Sequence, residues 1–422
     1  MAEEDIYGNK ARYERFAENL EEILEEPTEQ GRGKRKYWCK NKANLKHYRT
    51  LTRKFEVDDT SYIRRLKLMS ILKMLTHHIS CDLKDVNGMD KDNIIIELRK
   101  GISPSNLRKT ERDVRTIGKI LFGEKQPKFF KEFEIKTDVS RQTARKDKLN
   151  FEELDRIMKF FGGDEMMQAY LSLSFESLAR PQELSYLKLK DVELQDAYAV
   201  IQVSEHGKEG VKKLLSIDSF PYLVRWLKAH PNKDKSSFLF LNKHNKQLTP
   251  YAVNKRLKQA CRNLKIDKPI TCYSLKRGGV TFRRLIGDSD VEIQRIAGWK
   301  TTQQLKTYDL SDQQDVFKRQ LIKRGLLKDD KIRIEAPKSK PCQFCGELIG
   351  FSDDICPKCL HILKKDMVKE RIKKDEELIA FIDGIQELKQ THPEVFEALV
   401  GLGEKKVEAM KEIEKKKGLS PS

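Results

Sequence analysis

Cationic and phenolic side chains are concentrated in one stretch of the sequence, from Thr271 to Leu310. Tyr273, Lys276 and Arg277 fall within one turn of a predicted helix, so their donor groups lie together at the start of that helix. A phosphate binds where several cations and hydrogen-bond donors converge on its non-bridging oxygens. Tyr308, near the end of the stretch, adds a phenol that such a site could hold in line with the phosphate. The stretch therefore predicts a phosphate site with a tyrosine beside it.

A second charged motif interrupts a segment that is otherwise apolar nearly all round. Residues 166–187 predict a buried helix, and Arg180 and Glu183 stand within it, three residues apart. A buried arginine is costly unless it is paired, so Glu183 is its natural partner. The motif alone favours an arginine that is held only by that salt bridge over a functional one.

Alternating β-branched residues predict a hairpin after this helix. The strands are Ala197 to Ser204 and Lys212 to Ile217, and the turn between them carries Lys208 at its tip. A lysine in a turn is ordinarily only solvated, so the hairpin by itself assigns no role to Lys208.

Four of the eight cysteines form two CxxC pairs, Cys342 with Cys345 and Cys356 with Cys359, with ten residues between the pairs. Two such pairs predict a structural zinc ribbon, in which four thiolates hold one Zn²⁺ tetrahedrally and leave no open position for catalysis. The alternatives are two redox pairs or a chance arrangement. The remaining cysteines are scattered, as free thiols in a reducing compartment are.

The overall composition favours a polyanionic partner. Lys and Arg number 84 against 65 Asp and Glu, a formal charge of +19, which suits nucleic acid bound through its phosphates. The alternative is a basic face that is merely solvated. The sequence has no apolar run near the ~20 residues of a membrane span and no secretory signal. We therefore expect a cytoplasmic, nucleoid-associated protein.

The order of these motifs resembles the tyrosine recombinase (phage integrase) family. That family's catalytic domain carries an arginine box, a hairpin lysine, a His-x-x-Arg box, a His or Trp, and a tyrosine nucleophile. On this resemblance Arg180 is the first arginine with Glu183 as its buttress. Lys208 is the hairpin lysine, although Lys212 and Lys213 are close rivals.

The second half of the family pattern maps onto the opening stretch. Trp299 takes the His/Trp position, and Tyr308 the nucleophile position, with eight residues between them. The middle box departs from the pattern, because Tyr273 replaces the histidine and Lys276 replaces the second arginine. Arg277 is an alternative to Lys276 only if the helix start is distorted. On charge alone, Lys276→Arg should speed cleavage or leave it unchanged.

The resemblance also implies a fold and a division into domains. The expected fold class is mainly α, with a small β-hairpin sheet in an α+β catalytic domain. The expected segments are a basic N-terminal extension (1–55), a helical core-binding domain (56–130), a linker (131–147), the catalytic domain (148–327), a zinc ribbon (338–364) and a charged helical tail (365–422).

The implied function is site-specific DNA recombination or integration. Tyr308 would attack a DNA phosphate to give a 3′-phosphotyrosyl intermediate without a catalytic cofactor, and the zinc would be structural. The partners would be double-stranded DNA and further copies of the chain, as a tetramer on DNA. The alternatives are a catalytically weakened, recombinase-derived DNA-binding protein and a type IB topoisomerase, which shares the chemistry without strand exchange.

Overall fold

The computed structural model describes residues 5, 7–26, 37–101, 104–133, 146–203, 210–326, 338–363 and 365–416. The chain divides into two compact units, Met1–Arg145 and Lys146–Ser422. Within the described residues no helix is long and apolar enough to cross a membrane. Helices dominate both units and the strands are few, short and antiparallel, which confirms the predicted fold class.

The described part of the first unit is helical. Its helices are α1 (Asn9–Glu18), α2 (Leu45–Val57), α3 (Tyr62–His78), α4 (Gly88–Gly101), α5 (Pro104–Phe122) and the short α6 (Lys128–Lys131). Helix α3 supplies much of the core, with Leu68, Leu72 and Leu75 almost fully buried. This unit covers the segment expected to be the helical core-binding domain.

The first unit extends beyond the predicted boundaries at both ends. Tyr13, Tyr48 and Phe55 lie in its core, so described residues before 56 are packed structure and not a separate extension. At the other end Phe130 and Phe133 are buried in the same core, although a linker was expected from residue 131. The sequence does carry a periodic signal before residue 56, because Leu45, Tyr48, Leu51 and Phe55 recur at helical spacing, and the predicted extension did not take it into account. The apolar residues after residue 128 form a run too short to show a period.

The second unit begins with three helices and a small sheet. Its first elements are α7 (Phe151–Phe160), α8 (Glu165–Ser177), α9 (Pro181–Tyr186), β1 (Val192–Leu194), β2 (Ala199–Val203) and β3 (Lys212–Ser216). The strands are antiparallel in the order β1-β2-β3, and Val203 pairs with Lys212 where the predicted hairpin turn begins. Strands β2 and β3 form the expected hairpin, whereas Lys208 lies outside the described residues.

Helices complete the core of this unit. They are α10 (Phe220–Ala229), α11 (Pro250–Asn263), α12 (Cys272–Ile286), α13 (Asp290–Ala297), the short α14 (Leu305–Tyr308) and α15 (Gln313–Lys323). Helix α8 is the central element, since every residue from Met166 to Phe175 is buried. Helices α10 and α12 pack against it. The predicted helix over residues 166–187 is therefore buried but not continuous, because α8 ends at Ser177, Leu178 is left-handed, and Arg180 precedes the separate helix α9.

The two CxxC pairs form a small lobe attached to the same unit. It contains β4 (Lys340–Pro341) and β5 (Leu348–Ile349), which pair antiparallel. Phe351 of this lobe packs against the rings of Phe151 and Tyr222, and Asp353 accepts two hydrogen bonds from Arg225 at 2.7 and 3.0 Å. The lobe is therefore docked on helices α7 and α10.

Two long helices, α16 (Lys365–Thr391) and α17 (Pro393–Lys416), are the last elements among the described residues. Only His392 separates them, and Pro393 lacks the N–H that would continue the hydrogen-bond ladder. Apolar side chains such as Leu378, Ile382 and Leu399 are exposed along these helices.

Candidate active site and metal centre

A tight turn between α8 and α9 places Arg180. Leu178 ends α8 with φ 55°, a left-handed conformation that is costly for a non-glycine residue, and its side chain is fully buried. Pro181 then opens α9, where its fixed φ suits the first helical position. The Glu183 carboxylate accepts the N–H of Arg180 at 2.7 Å, which fixes the turn. Arg180 is thus held at the helix junction and buried.

Helix α12 brings Lys276 to the same place because it approaches α8 very closely. A Cβ on Gly279 would lie 2.1 Å from the carbonyl oxygen of Phe175, so only glycine permits this contact. Gly278 likewise lies against the Phe175 ring. The Gly-Gly pair thus sets the distance between the helix that carries Lys276 and the turn that carries Arg180.

The Lys276 side chain is completely buried, and its Nζ has no hydrogen-bond partner among the described residues. Nζ lies 5.0 Å from the centre of the Tyr308 ring and 5.4 Å from that of Trp299. Burial, followed by the positive charges of Lys212 and Arg180, lowers the pKa of Lys276 well below its ordinary value. Buried polar groups in proteins normally have a hydrogen-bond partner, so an unpartnered buried amine is typical of a site that binds an anion.

Arg277 points elsewhere. Its guanidinium forms a buried ion pair with Asp147, and the Ser274 hydroxyl donates to the same carboxylate at 2.8 Å. The helix start is regular, so the 100° step from Lys276 carries Arg277 away from Tyr308. Of the two residues that the sequence left as alternatives, Lys276 is the one beside Tyr308.

We expect Arg277→Ala to act mainly on stability. Removing one partner of a buried ion pair leaves Asp147 uncompensated, which costs about 3–5 kcal/mol. Urea unfolding of Arg277→Ala, Asp147→Ala and the double variant would measure this, and the double variant should lose less than the sum of the two. Additive losses would mean that the pair contributes no coupling.

Glu183 joins Arg180 to a lysine that the sequence ranked only as a rival. The Nζ of Lys212 lies 2.8 Å from Glu183 Oε2, and Nη1 of Arg180 lies 3.6 Å from Oε1. Lys212 also donates to the carbonyl oxygen of Ala297 at 3.1 Å. Its ammonium therefore links the arginine turn to the end of α13, whereas Lys213 is exposed.

Trp299 and Tyr308 form the opposite wall of the site. Their rings are stacked, with centroids 5.3 Å apart and an interplanar angle of 23°. Trp299 follows Gly298, which ends α13 at φ 70° and packs so closely on Lys212 that a Cβ would lie 2.6 Å from its Cδ. Tyr308 is 9% exposed and ends α14. Both rings belong to a small apolar cluster with Leu178 and Val280.

Tyr273 stands at the edge of this group and is 38% exposed. Burial of the phenol raises its pKa, and the charge of Arg180 opposes that rise. It therefore presents a neutral hydroxyl, which can donate to an anion but is a poor acceptor of a proton.

The structure thus brings Arg180, Tyr273, Lys276, Trp299 and Tyr308 together, with Lys212 and Glu183 behind them. Sequence reasoning missed Asp147, which holds Arg277 out of the site. Asp147 lies in the segment expected to be a linker, and no motif marks it.

The four cysteines Cys342, Cys345, Cys356 and Cys359 form a second cluster, and their sulfurs all lie within 4.8 Å of one another. Sγ of Cys342 is 3.7 Å from that of Cys359, and Sγ of Cys345 is 3.6 Å from that of Cys356. Four sulfurs at the usual ~2.3 Å from a tetrahedral zinc are about 3.8 Å apart. Backbone N–H groups of Phe344 and Cys345 lower the pKa of the Cys342 thiol to about 7. The cluster therefore fits a metal ion.

Comparison with known proteins gives a family for the region that contains the first site. The family model described as the phage integrase family matches residues 147–315. A search of curated protein sequences finds no match.

Solved structures give a fold match over a larger part of the chain. One is the Tn1549 transposon integrase in complex with transposon right end DNA. It matches with a TM-score of 0.52 and 14% sequence identity, and the match covers 67% of this chain and 99% of that chain. Another is a lambda integrase dimer bound to a core site. It matches with a TM-score of 0.50 and 14% sequence identity, and the match covers 62% of this chain and 76% of that chain. At such identities the likeness establishes the fold. The residues that surround Tyr308 thus lie in a domain of the phage integrase family, the tyrosine recombinases, which this chain carries over residues 147–315.

Proposed function

We propose that this chain is a site-specific DNA recombinase or integrase, which cleaves and rejoins DNA through a 3′-phosphotyrosyl intermediate at Tyr308. The observation that carries the proposal is the placement of Lys276, a buried amine with no hydrogen-bond partner in the described chain, against the Tyr308 ring. Arg180 stands nearby, so two basic groups and a phenol face one position. That is the arrangement a scissile phosphate requires.

In the proposed reaction the Tyr308 oxygen attacks the phosphorus and the 5′-oxygen of the next nucleotide leaves. The Arg180 guanidinium and Lys276 neutralise the charge that develops on the non-bridging oxygens. Tyr273 and Trp299 contribute hydrogen-bond donors, and the indole N–H of Trp299 is buried without a partner among the described residues. The phosphotyrosyl link conserves the energy of the broken bond, so a 5′-hydroxyl from another strand can reverse the step.

Protonation of the leaving oxygen is assigned to Lys208 on the family resemblance. Lys212 is a poor candidate, because its ammonium already contacts the Glu183 carboxylate and the Ala297 carbonyl oxygen. Lys212 is better suited to holding Glu183 and the end of α13 in place, and with them Arg180 and Trp299.

We further propose that the four-cysteine cluster binds one structural Zn²⁺. The sulfur separations support this, and so does the chemistry of the set, since four thiolates favour zinc over hard cations. Bound there, the ion would stabilise the small lobe by cross-linking its two loops.

Assembly into a tetramer on DNA belongs to the same proposal. Strand exchange needs two duplexes and therefore several protomers. The exposed apolar side chains of the tail support self-association, because Leu378, Ile382 and Ile385 are spaced by four and then three residues on α16 and so share one face of that helix.

The proposal is tested by covalent trapping. Duplexes that the full chain selects from a random pool are re-synthesised with a nick a few nucleotides to the 3′ side of each candidate phosphate. The short fragment that leaves with the new 5′-hydroxyl then diffuses away and cannot reverse the cleavage. We expect a protein–DNA adduct that survives denaturation. Joined strands from two labelled duplexes would indicate a recombinase and not a topoisomerase. Tight binding without any adduct would instead support the non-catalytic DNA-binding alternative.

A further inference from the structure

The inference concerns the proton that Tyr308 must lose before it can attack. A phenol with a pKa near ~10 is a weak nucleophile at neutral pH unless a neighbouring group accepts its proton. The side chain three residues before Lys276 is Tyr273, whose raised pKa keeps it protonated. Within the described site Glu183 is the one carboxylate, and it is bound by Lys212 and by the N–H of Arg180.

Lys276 is different from every other cation of the site. Lys212 has a carboxylate partner at 2.8 Å, whereas the Lys276 amine has no hydrogen-bond partner among the described residues and no exposed surface. Two aromatic rings lie beside this amine, with the centre of the Tyr308 ring 5.0 Å and that of the Trp299 ring 5.4 Å from Nζ. An ammonium in such a place is costly, whereas a neutral amine is tolerated.

The groups that face Lys276 come from each neighbouring element. Lys212 on β3 and Arg180 before α9 are positive, Glu183 on α9 is negative, and Tyr273 and Tyr308 are phenols. Burial has the largest effect on the pKa of Lys276 and lowers it, the two cations add to this, and Glu183 opposes them. Without DNA the balance therefore shifts Lys276 towards its neutral form.

We propose that Lys276 is the base of the cleavage step, whose neutral Nζ accepts the phenolic proton of Tyr308 as the DNA phosphate enters the site. The O–H bond of Tyr308 breaks, an N–H bond forms on Lys276, and the phenolate electron pair forms the bond to phosphorus. The 5′-oxygen departs with the electrons of the P–O bond and takes a proton from a separate acid. This inference rests on the proposed function.

The arriving phosphate itself would drive the transfer. An anion within about 4–6 Å favours the charged form of the amine, so DNA binding raises the pKa of Lys276. The ammonium produced by the transfer then lies next to the phosphate whose charge it must offset. One lysine thus serves first as the base and then as the cation, which an arginine cannot do because it does not lose its proton.

The test is a pH profile of single-turnover adduct formation on nicked DNA, for wild type and Lys276→Arg, between about pH 6 and 10. In the wild type the rate should rise while Lys276 is being deprotonated and then level off. In Lys276→Arg we expect a rate roughly a hundredfold lower near neutral pH, still rising about tenfold per pH unit where the wild type is flat. This is the reverse of what charge alone predicts.

A merely structural loss would lower the rate equally at every pH and leave the profile unchanged. Lys306→Arg, at an exposed lysine two residues from Tyr308, is the matched control and should retain the wild-type profile. A Lys276→Arg variant that reacts as fast as wild type, or with the same pH dependence, overturns the inference. If the wild type forms no adduct at any pH, it is the proposed function that fails.

A second substrate separates a base from an acid. When sulfur replaces the leaving 5′-oxygen, departure needs no proton, because a thiolate leaves readily. If Lys276 is the base, Lys276→Met should stay impaired on the sulfur substrate, since Tyr308 still has to lose its proton. Restoration of Lys276→Met to the wild-type rate on that substrate would make Lys276 the acid and refute the proposal.

Discussion

Replacing Tyr308 with phenylalanine should abolish covalent attachment to DNA while leaving duplex affinity nearly unchanged. The change removes the only atom that can attack, so no adduct should form even after long incubation with nicked DNA. Phenylalanine keeps the ring that stacks on Trp299 and packs near Lys276, so the fold should be preserved. A single hydroxyl also carries little of an affinity that many phosphate contacts share.

The measurement is denaturing electrophoresis of labelled DNA, beside a binding assay at a fixed salt concentration. Tyr251→Phe is the matched control, because Tyr251 is 76% exposed on α11 and lies outside the site; it should form the adduct at the wild-type rate. An adduct from Tyr308→Phe would place the nucleophile on another residue. Loss of binding together with the adduct would indicate that Tyr308 is part of the fold or of the DNA contact.

The sequence predicted the members of the site better than the contacts that arrange them. Residue types alone placed Lys276 near Tyr308, and the resemblance to the tyrosine recombinases added Arg180 and Trp299 to the group. The sequence could not decide between Lys276 and Arg277. Adjacent residues on a helix point in directions about 100° apart, and the sequence does not show which direction faces Tyr308. Asp147 decides it, and its place beside Arg277 is a tertiary contact between residues far apart in the chain. No local pattern encodes such a pair.

The glycines of the same stretch show a similar limit. A Gly-Gly pair within a helix is unfavourable by propensity, so the sequence signals that something lies close to it. Only the structure shows that the close neighbour is the carbonyl oxygen of Phe175, at the end of α8. The left-handed turn at Leu178, which directs Arg180, had no sequence signal, because leucine rarely adopts it.

The boundaries of the first unit were predicted least well. Tyr13, Tyr48 and Phe130 come from segments rich in charged residues, and all three are buried in the core of this unit. Hydrophobic periodicity detects a helix that presents a broad apolar face, as α3 does. The prediction of an extension over residues 1–55 overlooked such a face on α2, where Leu45, Tyr48, Leu51 and Phe55 recur at helical spacing and are all buried.

The second large effect is expected at the four-cysteine cluster. Cys356 is fully buried there, and Cys356→Ser should lose the metal and with it the folded lobe, since zinc binding contributes on the order of 10 kcal/mol to such small sites. Metal analysis should find about one zinc per wild-type chain and none in the variant. Cys81→Ser, in the first unit, should keep the metal. A variant that retains a full equivalent of zinc would contradict the four-thiolate assignment.

Loss of the lobe should also weaken the domain on which it is docked. Phe351 contacts Phe151 and Tyr222, the N–H of Ser352 donates to the Tyr222 hydroxyl at 2.7 Å, and Asp353 pairs with Arg225. Losing one partly buried ring and these polar contacts costs on the order of 3 kcal/mol. Chelator added to the wild type should therefore lower the unfolding midpoint of the second unit, and zinc should restore it.

Gly350→Ala separates docking from metal binding. A Cβ at Gly350 would lie 2.2 Å from Cζ of Tyr222, so the lobe must move away from α10, although all four cysteines remain. We expect the variant to hold its zinc and yet unfold at the lower midpoint of the chelated wild type. Gly384→Ala is the control, because nothing lies within 4 Å of that position in α16 and alanine favours a helix. If Gly350→Ala unfolds at the wild-type midpoint, the lobe contributes nothing to the domain beneath it, and the effect of chelator must be confined to the lobe itself.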